Sequence, residues 1–117
     1  EDFGVGFYTK YGDGGVDLSP IADLMKSEVY AIARYLGIDE EIQKAPPTDG
    51  LWGDDRTDED QLGATYPELE WAMEYKGEMT DLTNRQKEVL AIYTRLHQIN
   101  KHKMEPIPVC LVPDEMK

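Results

Sequence analysis

The sequence is poor in the residues that most catalytic and metal sites are built from. It has one cysteine, Cys110, so no disulfide can close within the chain, which favours a reducing compartment. Its two histidines, His97 and His102, are five positions apart and do not share a helical face. There is no H-E-x-x-H and no C-x-x-C, so a zinc site is not expected. Ser19 and Ser27 lack a G-x-S-x-G setting. No run approaches the roughly 18 apolar residues of a membrane span, and no signal peptide is visible. Basic residues are scarce: 12 Lys and Arg stand against 24 Asp and Glu, a net charge of −12. Nonspecific binding to nucleic-acid phosphates is therefore disfavoured. Walker A is missing, and a Rossmann pattern begun at Gly4-Val5-Gly6 fails at its third glycine position, Thr9. Calcium-loop spacing, internal repeats and low-complexity segments are also absent. Residue 1 is Glu rather than Met, so the chain reads as a piece of something longer.

What is present is concentrated between Phe7 and Lys26. Gly12, Gly14 and Gly15 allow a bend whose N–H groups could cradle an anion. Lys10 and Lys26 flank it, and Asp13 and Asp17 add two carboxylates. An ordinary surface turn is the plainer reading of the same glycines. Lys26 is the odd residue. It stands at an expected helix start, where the dipole disfavours a cation unless an anion is bound nearby. Charge is unevenly spread: Gly37 to Asp81 holds fourteen acids against Lys44, Arg56 and Lys76, leaving −1 for the rest. An anionic ligand is tolerable outside that acidic middle.

The 117 residues suffice for one domain with a modest core. Glu1 to Thr9 reads as a strand or a buried turn, and Val16 to Ile21 as a strand end. Met25, Val29, Ile32 and Leu36 share one helical face, which predicts a helix from Asp23 or Met25 to Leu36, closed by Gly37. Asp39 to Lys44 predicts one helical turn before Pro46-Pro47. In the loop from Ala45 to Arg56, Trp52 is expected to pin the chain to a core. Thr57 to Asp60, and Thr65 with Glu68, predict helix starts. The second helix should bury Leu69, Ala72 and Met73 and end at Gly77. The longest helix should run from Leu82 or Thr83 to Asn100, with Val89, Tyr93 and Leu96 marking one face, widened by Ile92 and Ile99. Lys101-His102-Lys103 suits a helix C-terminus. A tail with Pro106, Pro108 and Pro113 cannot be helical.

Gly6-Phe7-Tyr8-Thr9-Lys10-Tyr11-Gly12-Asp13-Gly14-Gly15-Val16-Asp17 resembles the G-[FY]-x-T-K-Y-G-D-G-G-x-D signature of NAD synthetases. Asp17-Leu18-Ser19-Pro20-Ile21 with Leu24 and Lys26 is similar to the family's D-x-x-P-[LI]-x-x-L-x-K. Lys44 to Thr48 with Leu51-Trp52, Thr57-Asp58-Glu59-Asp60-Gln61-Leu62-Gly63, and His102-Lys103 with Pro106 continue the resemblance in order. Asp49-Gly50 departs from the usual Ala-Asp, and a second proline precedes it.

The resemblance implies an α/β fold (adenine-nucleotide α-hydrolase-like) for the whole enzyme. Residues 1–117 would be its mostly helical C-terminal part, with one or two short strands. The family's S-G-G-x-D-S pyrophosphatase loop does not occur in this sequence, so the chain alone is expected to be inactive. The family joins ammonia to deamido-NAD at the expense of ATP, with Mg²⁺. By similarity Lys10, Asp17, His102 and Lys103 would contact deamido-NAD, and Lys26 and Thr48 would hold ATP. Asp13 and Lys26 would serve the chemistry, and Asp2 or Glu1 would bind the metal. A homodimer in the cytoplasm, with no nucleic-acid or membrane partner, is likewise implied. Two other readings compete: another adenylating ATP pyrophosphatase, and a non-enzymatic acidic helical interaction module.

Overall fold

The structure is a computed structural model that describes every residue except Glu1, Asp13 and Gly14, and describes Asp2 and Phe3 by backbone alone. Among the described residues there are five α-helices: α1 Lys26–Leu36, α2 Glu40–Lys44, α3 Asp58–Leu62, α4 Tyr66–Glu74 and α5 Asn84–Asn100. A π-helical turn, Asp2–Gly6, precedes them, and 3₁₀ turns lie at Met79–Asp81, Lys101–Lys103 and Asp114–Met116. No helix among the described residues is long and apolar enough to cross a membrane.

Local side-chain chemistry sets the helix boundaries. Thr65 Oγ1 accepts from Glu68 N–H at 3.3 Å while Glu68 accepts from Thr65 N–H at 2.9 Å, which starts α4. Thr57 with Asp60 and Thr83 with Gln86 start α3 and α5 in the same reciprocal way. Asp39 accepts from Glu41 N–H at 2.9 Å and starts α2. Gly37, at φ 69°, closes α1. The end of α4 departs from expectation: the chain leaves the helix at Tyr75, not at Gly77. Tyr75 becomes extended and its hydroxyl donates to the Glu78 carbonyl at 2.6 Å, which turns the chain early.

The core lies where α4, α5 and the N-terminal turn meet. Val5, Leu62, Ala64, Leu69, Ala72 and Val89 are buried together, ringed by Phe7, Trp71, Leu90, Ile92, Tyr93 and Leu96. Arg85 braces this junction. Its Nε and Nη2 donate to the two oxygens of Glu68, both at 2.8 Å, and Nη2 also reaches the Gly63 carbonyl at 3.2 Å. That paired hydrogen bonding, reinforced by the Thr65 N–H, holds the Glu68 carboxyl down at about 2.

The expectations of short strands and of a Trp52 pinned to the core are corrected. No strand forms among the described residues, neither at Glu1 to Thr9 nor at Val16 to Ile21. A strand needs a neighbouring ladder, and the first segment instead takes the buried turn, its carbonyls bonded to side chains of α5. Val29, Ile32 and Leu36 share a face of α1, with Met25 at its N-cap; no residue of α1 is buried, and Leu36 is 65% exposed. Ile99 is exposed as well, lining an open groove of about 660 Å³ with Tyr75, Met79 and Leu90. Trp52 is 53% exposed rather than pinned to the core. Polar contacts hold its loop: Trp52 Nε1 donates to Gln61 at 3.1 Å, and the Arg56 guanidinium lies 4.5 Å from the ring centre. The radius of gyration is 17.9 Å, against about 13 Å for a compact chain of this length.

Leu69 is fully buried, so Leu69→Ala is expected to lower unfolding free energy by about 2–5 kcal/mol. Leu111→Ala, at a residue 87% exposed, should stay within about 0.5 kcal/mol. Denaturant titration of both variants checks the contrast. Acid should act through Glu68. Its folded value of about 2 lies below the ordinary 4.5, so its contribution is present above 4.5 and fades as pH falls towards 2. The gap in thermal midpoint between wild type and Glu68→Gln should therefore close over that window. A gap independent of pH would contradict the pairing with Arg85.

Candidate ligand site at the end of the long helix

His97, Asn100 and Lys103 follow one another at steps of three, on one face of α5 and the 3₁₀ turn that extends it. That face meets the N-terminal turn. His97 Nδ1 lies 2.7 Å from the Gly4 carbonyl, which can only accept, so this nitrogen carries the proton. Asn100 Nδ2 donates to the Val5 carbonyl at 2.9 Å. Lys103 Nζ donates to the Gly6 and Tyr8 carbonyls at 2.7 and 2.8 Å. Those of Gly4, Val5 and Gly6 are carbonyls at the end of a helical turn, which have no partner within it.

Contacts run the other way too. The Tyr8 hydroxyl donates to the Lys103 carbonyl at 2.9 Å, and Lys10 Nζ to the His102 carbonyl at 2.6 Å. The fit is close at Gly6, which has φ 68°. A Cβ there would lie 2.2 Å from Asn100 Cβ. At Gly4 a Cβ would meet Met73 Sδ at 2.9 Å.

The glycine loop then turns on itself. Gly12 N–H donates to the Thr9 carbonyl at 3.2 Å, and Gly15 N–H to the Gly12 carbonyl at 3.0 Å. Asp17, after the loop, is exposed. Asp13 and Glu1 lie outside the described residues, as does the side chain of Asp2, so the expected catalytic acid and metal ligands have no described position. Among the described residues no three His, Cys, Asp or Glu side chains converge to hold a metal ion.

Of the expected binding residues, Lys10, His102 and Lys103 are brought together across more than ninety residues of sequence. Lys26 makes a contact elsewhere. It is the first residue of α1, half-buried, with Nζ 4.7 Å from the centre of the Tyr66 ring. The helix start beside it already faces carboxylates. Met25 N–H donates to Glu28 and Ser27 N–H to Glu70, both at 2.8 Å. The dipole conflict at Lys26 is thus eased within the chain. Tyr66 in turn donates to Asp58 Oδ2 at 3.2 Å, and Asp58 Oδ1 is buried without a hydrogen-bond partner.

Thr48 sits in the loop before α3, where its hydroxyl accepts from Gly50 N–H at 3.2 Å and lies 3.4 Å from the Arg56 carbonyl. Asp49, at the position that departs from the family pattern, organises this loop. It accepts from Leu51 N–H at 3.0 Å and Gln61 Nε2 at 3.2 Å. The Leu51 N–H, helped by Gln61, holds its carboxyl below the usual range.

Neither His97 nor Asn100 received a site role from the sequence, because they belong to no motif. Their signal was the three-residue step to Lys103, which puts all three on one face.

Fold and site together define a helical segment that pins a glycine-rich loop to a basic helix end. The NAD synthase family model matches residues 1–107. An NH(3)-dependent NAD(+) synthetase from Syntrophomonas wolfei is 38% identical over 113 residues, 97% of this chain and 42% of that protein. One from Archaeoglobus fulgidus is 41% identical over 112 residues, 94% of this chain and 43% of its own length. The solved structure of an NMN synthetase from Francisella tularensis matches with a TM-score of 0.75 at 30% identity, covering 97% of this chain and 43% of that one. The chain belongs to the NAD synthase family and spans about two-fifths of the length of these relatives.

Lys103→Met should strand two carbonyls beside the core and lower stability by about 1–3 kcal/mol. Lys10→Met removes exposed contacts, to the His102 carbonyl and the Tyr11 ring, and should stay within about 0.5 kcal/mol. Equal losses in a denaturant titration would mean that Lys103 is not the anchor of the turn.

Proposed function

We propose that this chain is the C-terminal part of an NAD synthetase, a ligase that converts deamido-NAD, ATP and ammonia into NAD, AMP and pyrophosphate. The observation that carries the reading is the meeting of Lys10 with the His102–Lys103 end, two separate stretches of the family resemblance joined at 2.6 Å. The family match over residues 1–107 supports it.

In this reaction a nicotinate carboxylate oxygen attacks the α-phosphorus of ATP, and pyrophosphate leaves. Ammonia then attacks the activated carbonyl, loses a proton and displaces AMP. In the proposed assignment Lys10, Asp17, His102 and Lys103 bind deamido-NAD. Thr48 and Lys26 hold the ATP phosphates, and Lys26 offsets charge on the departing pyrophosphate. Asp13 binds or deprotonates the incoming ammonium. Mg²⁺, which Asp2 or Glu1 would hold, neutralises phosphate charge when bound. The proposed whole enzyme is an α/β homodimer of the cytoplasm. Its S-G-G-x-D-S loop and most of its sheet lie in the part that precedes these residues.

A second reading has a specific motive. The structural relative is titled an NMN synthetase, so the acceptor could be a mononucleotide. Comparing deamido-NAD with nicotinate mononucleotide as substrate of the whole enzyme separates the two.

The whole enzyme is expected to form NAD from ATP, ammonia, deamido-NAD and Mg²⁺, and the 117-residue chain alone to form none. Lys26→Ala in the whole enzyme should slow adenylation by a factor of roughly 10²–10³. Loss of the ring contact with Tyr66 should lower stability by about 0.5–1 kcal/mol. Activity surviving within a factor of a few would remove Lys26 from the site.

A further inference from the structure

We infer that His97 and Asn100 are positioning residues for the dinucleotide site, holding the segment that carries Lys10 at a set distance from the His102–Lys103 end. This rests on the function proposed above and adds two residues to its site. The argument begins with the carbonyls. Gly4, Val5 and Gly6 are buried, and their carbonyls receive His97, Asn100 and Lys103 in the same order along the two segments. One tooth of this comb sets the register of the next, so a slip by one residue would mismatch all three.

The imidazole is itself oriented. Its ring lies 5.9 Å from that of Tyr93, stacked at 28°. A Cβ at Gly4 would in turn lie 3.3 Å from Tyr93 Cε2, so the ring that steadies His97 also bounds the turn. Asn100 is equally confined, because its Cβ occupies the space that a side chain at Gly6 would need. Both residues are half-buried, and their described bonds go to backbone within the chain. Their described action is therefore on the placement of Lys10, Tyr8 and Lys103. Lys26 and Thr48 have their described contacts in other segments, at Tyr66 and at Gly50 and Arg56. Loosening the comb should thus affect the dinucleotide and spare ATP.

The test uses the whole enzyme with His97→Leu, His97→Asn and Asn100→Ala. The amide of His97→Asn keeps a donor where Nδ1 stood, and His97→Leu removes it. KM for deamido-NAD, KM for ATP, kcat and the thermal midpoint are measured for each. His97→Leu and Asn100→Ala should raise KM for deamido-NAD about tenfold with ATP within about twofold, and His97→Asn should return to within about threefold of wild type. If His97→Leu does not fold, Asn100→Ala carries the same expectation. Unchanged KM for deamido-NAD, equal rises for both substrates, or no recovery in His97→Asn would each overturn the inference alone, provided the wild type makes NAD. A wild type that makes no NAD overturns the proposed function, and this inference with it.

Discussion

Buried carbonyls must find donors, and the N-terminal turn has none of its own to offer the carbonyls of Gly4, Val5 and Gly6. An acceptor left without a donor in such a place costs about 1–3 kcal/mol. The end of α5 meets the demand with an imidazole, an amide and an ammonium. Much else follows from that contact. It seats Val5 in the core against Leu69 and Val89. It demands glycine at position 6, where any Cβ would strike Asn100. It also brings Lys10 against the backbone of His102, which assembles the candidate site from the two ends of the chain.

A second joint works by charge. Glu68 starts α4 through Thr65 and at the same time receives Arg85 from α5 on both oxygens. One carboxylate thus fixes a helix start and the approach of its neighbour. Other acids of this stretch accept hydrogen bonds in caps and loops, as at Asp39, Asp60 and Asp49. Such exposed contacts are individually weak. They define loop geometry more than they stabilise the whole.

The remaining apolar surface has a different logic. Leu36 on α1 and Val109 and Leu111 in the tail are exposed to an extent unusual for residues of their size. The chain spans about two-fifths of its relatives. The α1 pattern was readable as a helix, because periodicity sets the face; it does not decide what that face is packed against.

The helix boundaries were legible because they depend on neighbours in sequence. A threonine three residues before a glutamate, or a glycine able to take positive φ, acts within one turn of its own position. The long helix and its Val89–Tyr93–Leu96 face followed from periodicity for the same reason. The glycine loop and the His102–Lys103 end were visible as motifs, yet nothing in their spacing said that they meet. That contact spans 92 residues, and only the packing of α5 on the N-terminal turn decides it. The same packing made a buried turn of a segment that read equally well as a strand, since pairing depends on what lies alongside. Trp52 shows the limit from the other side: its size suggested a core, but whether apolar surface is buried depends on what the rest of the fold brings against it.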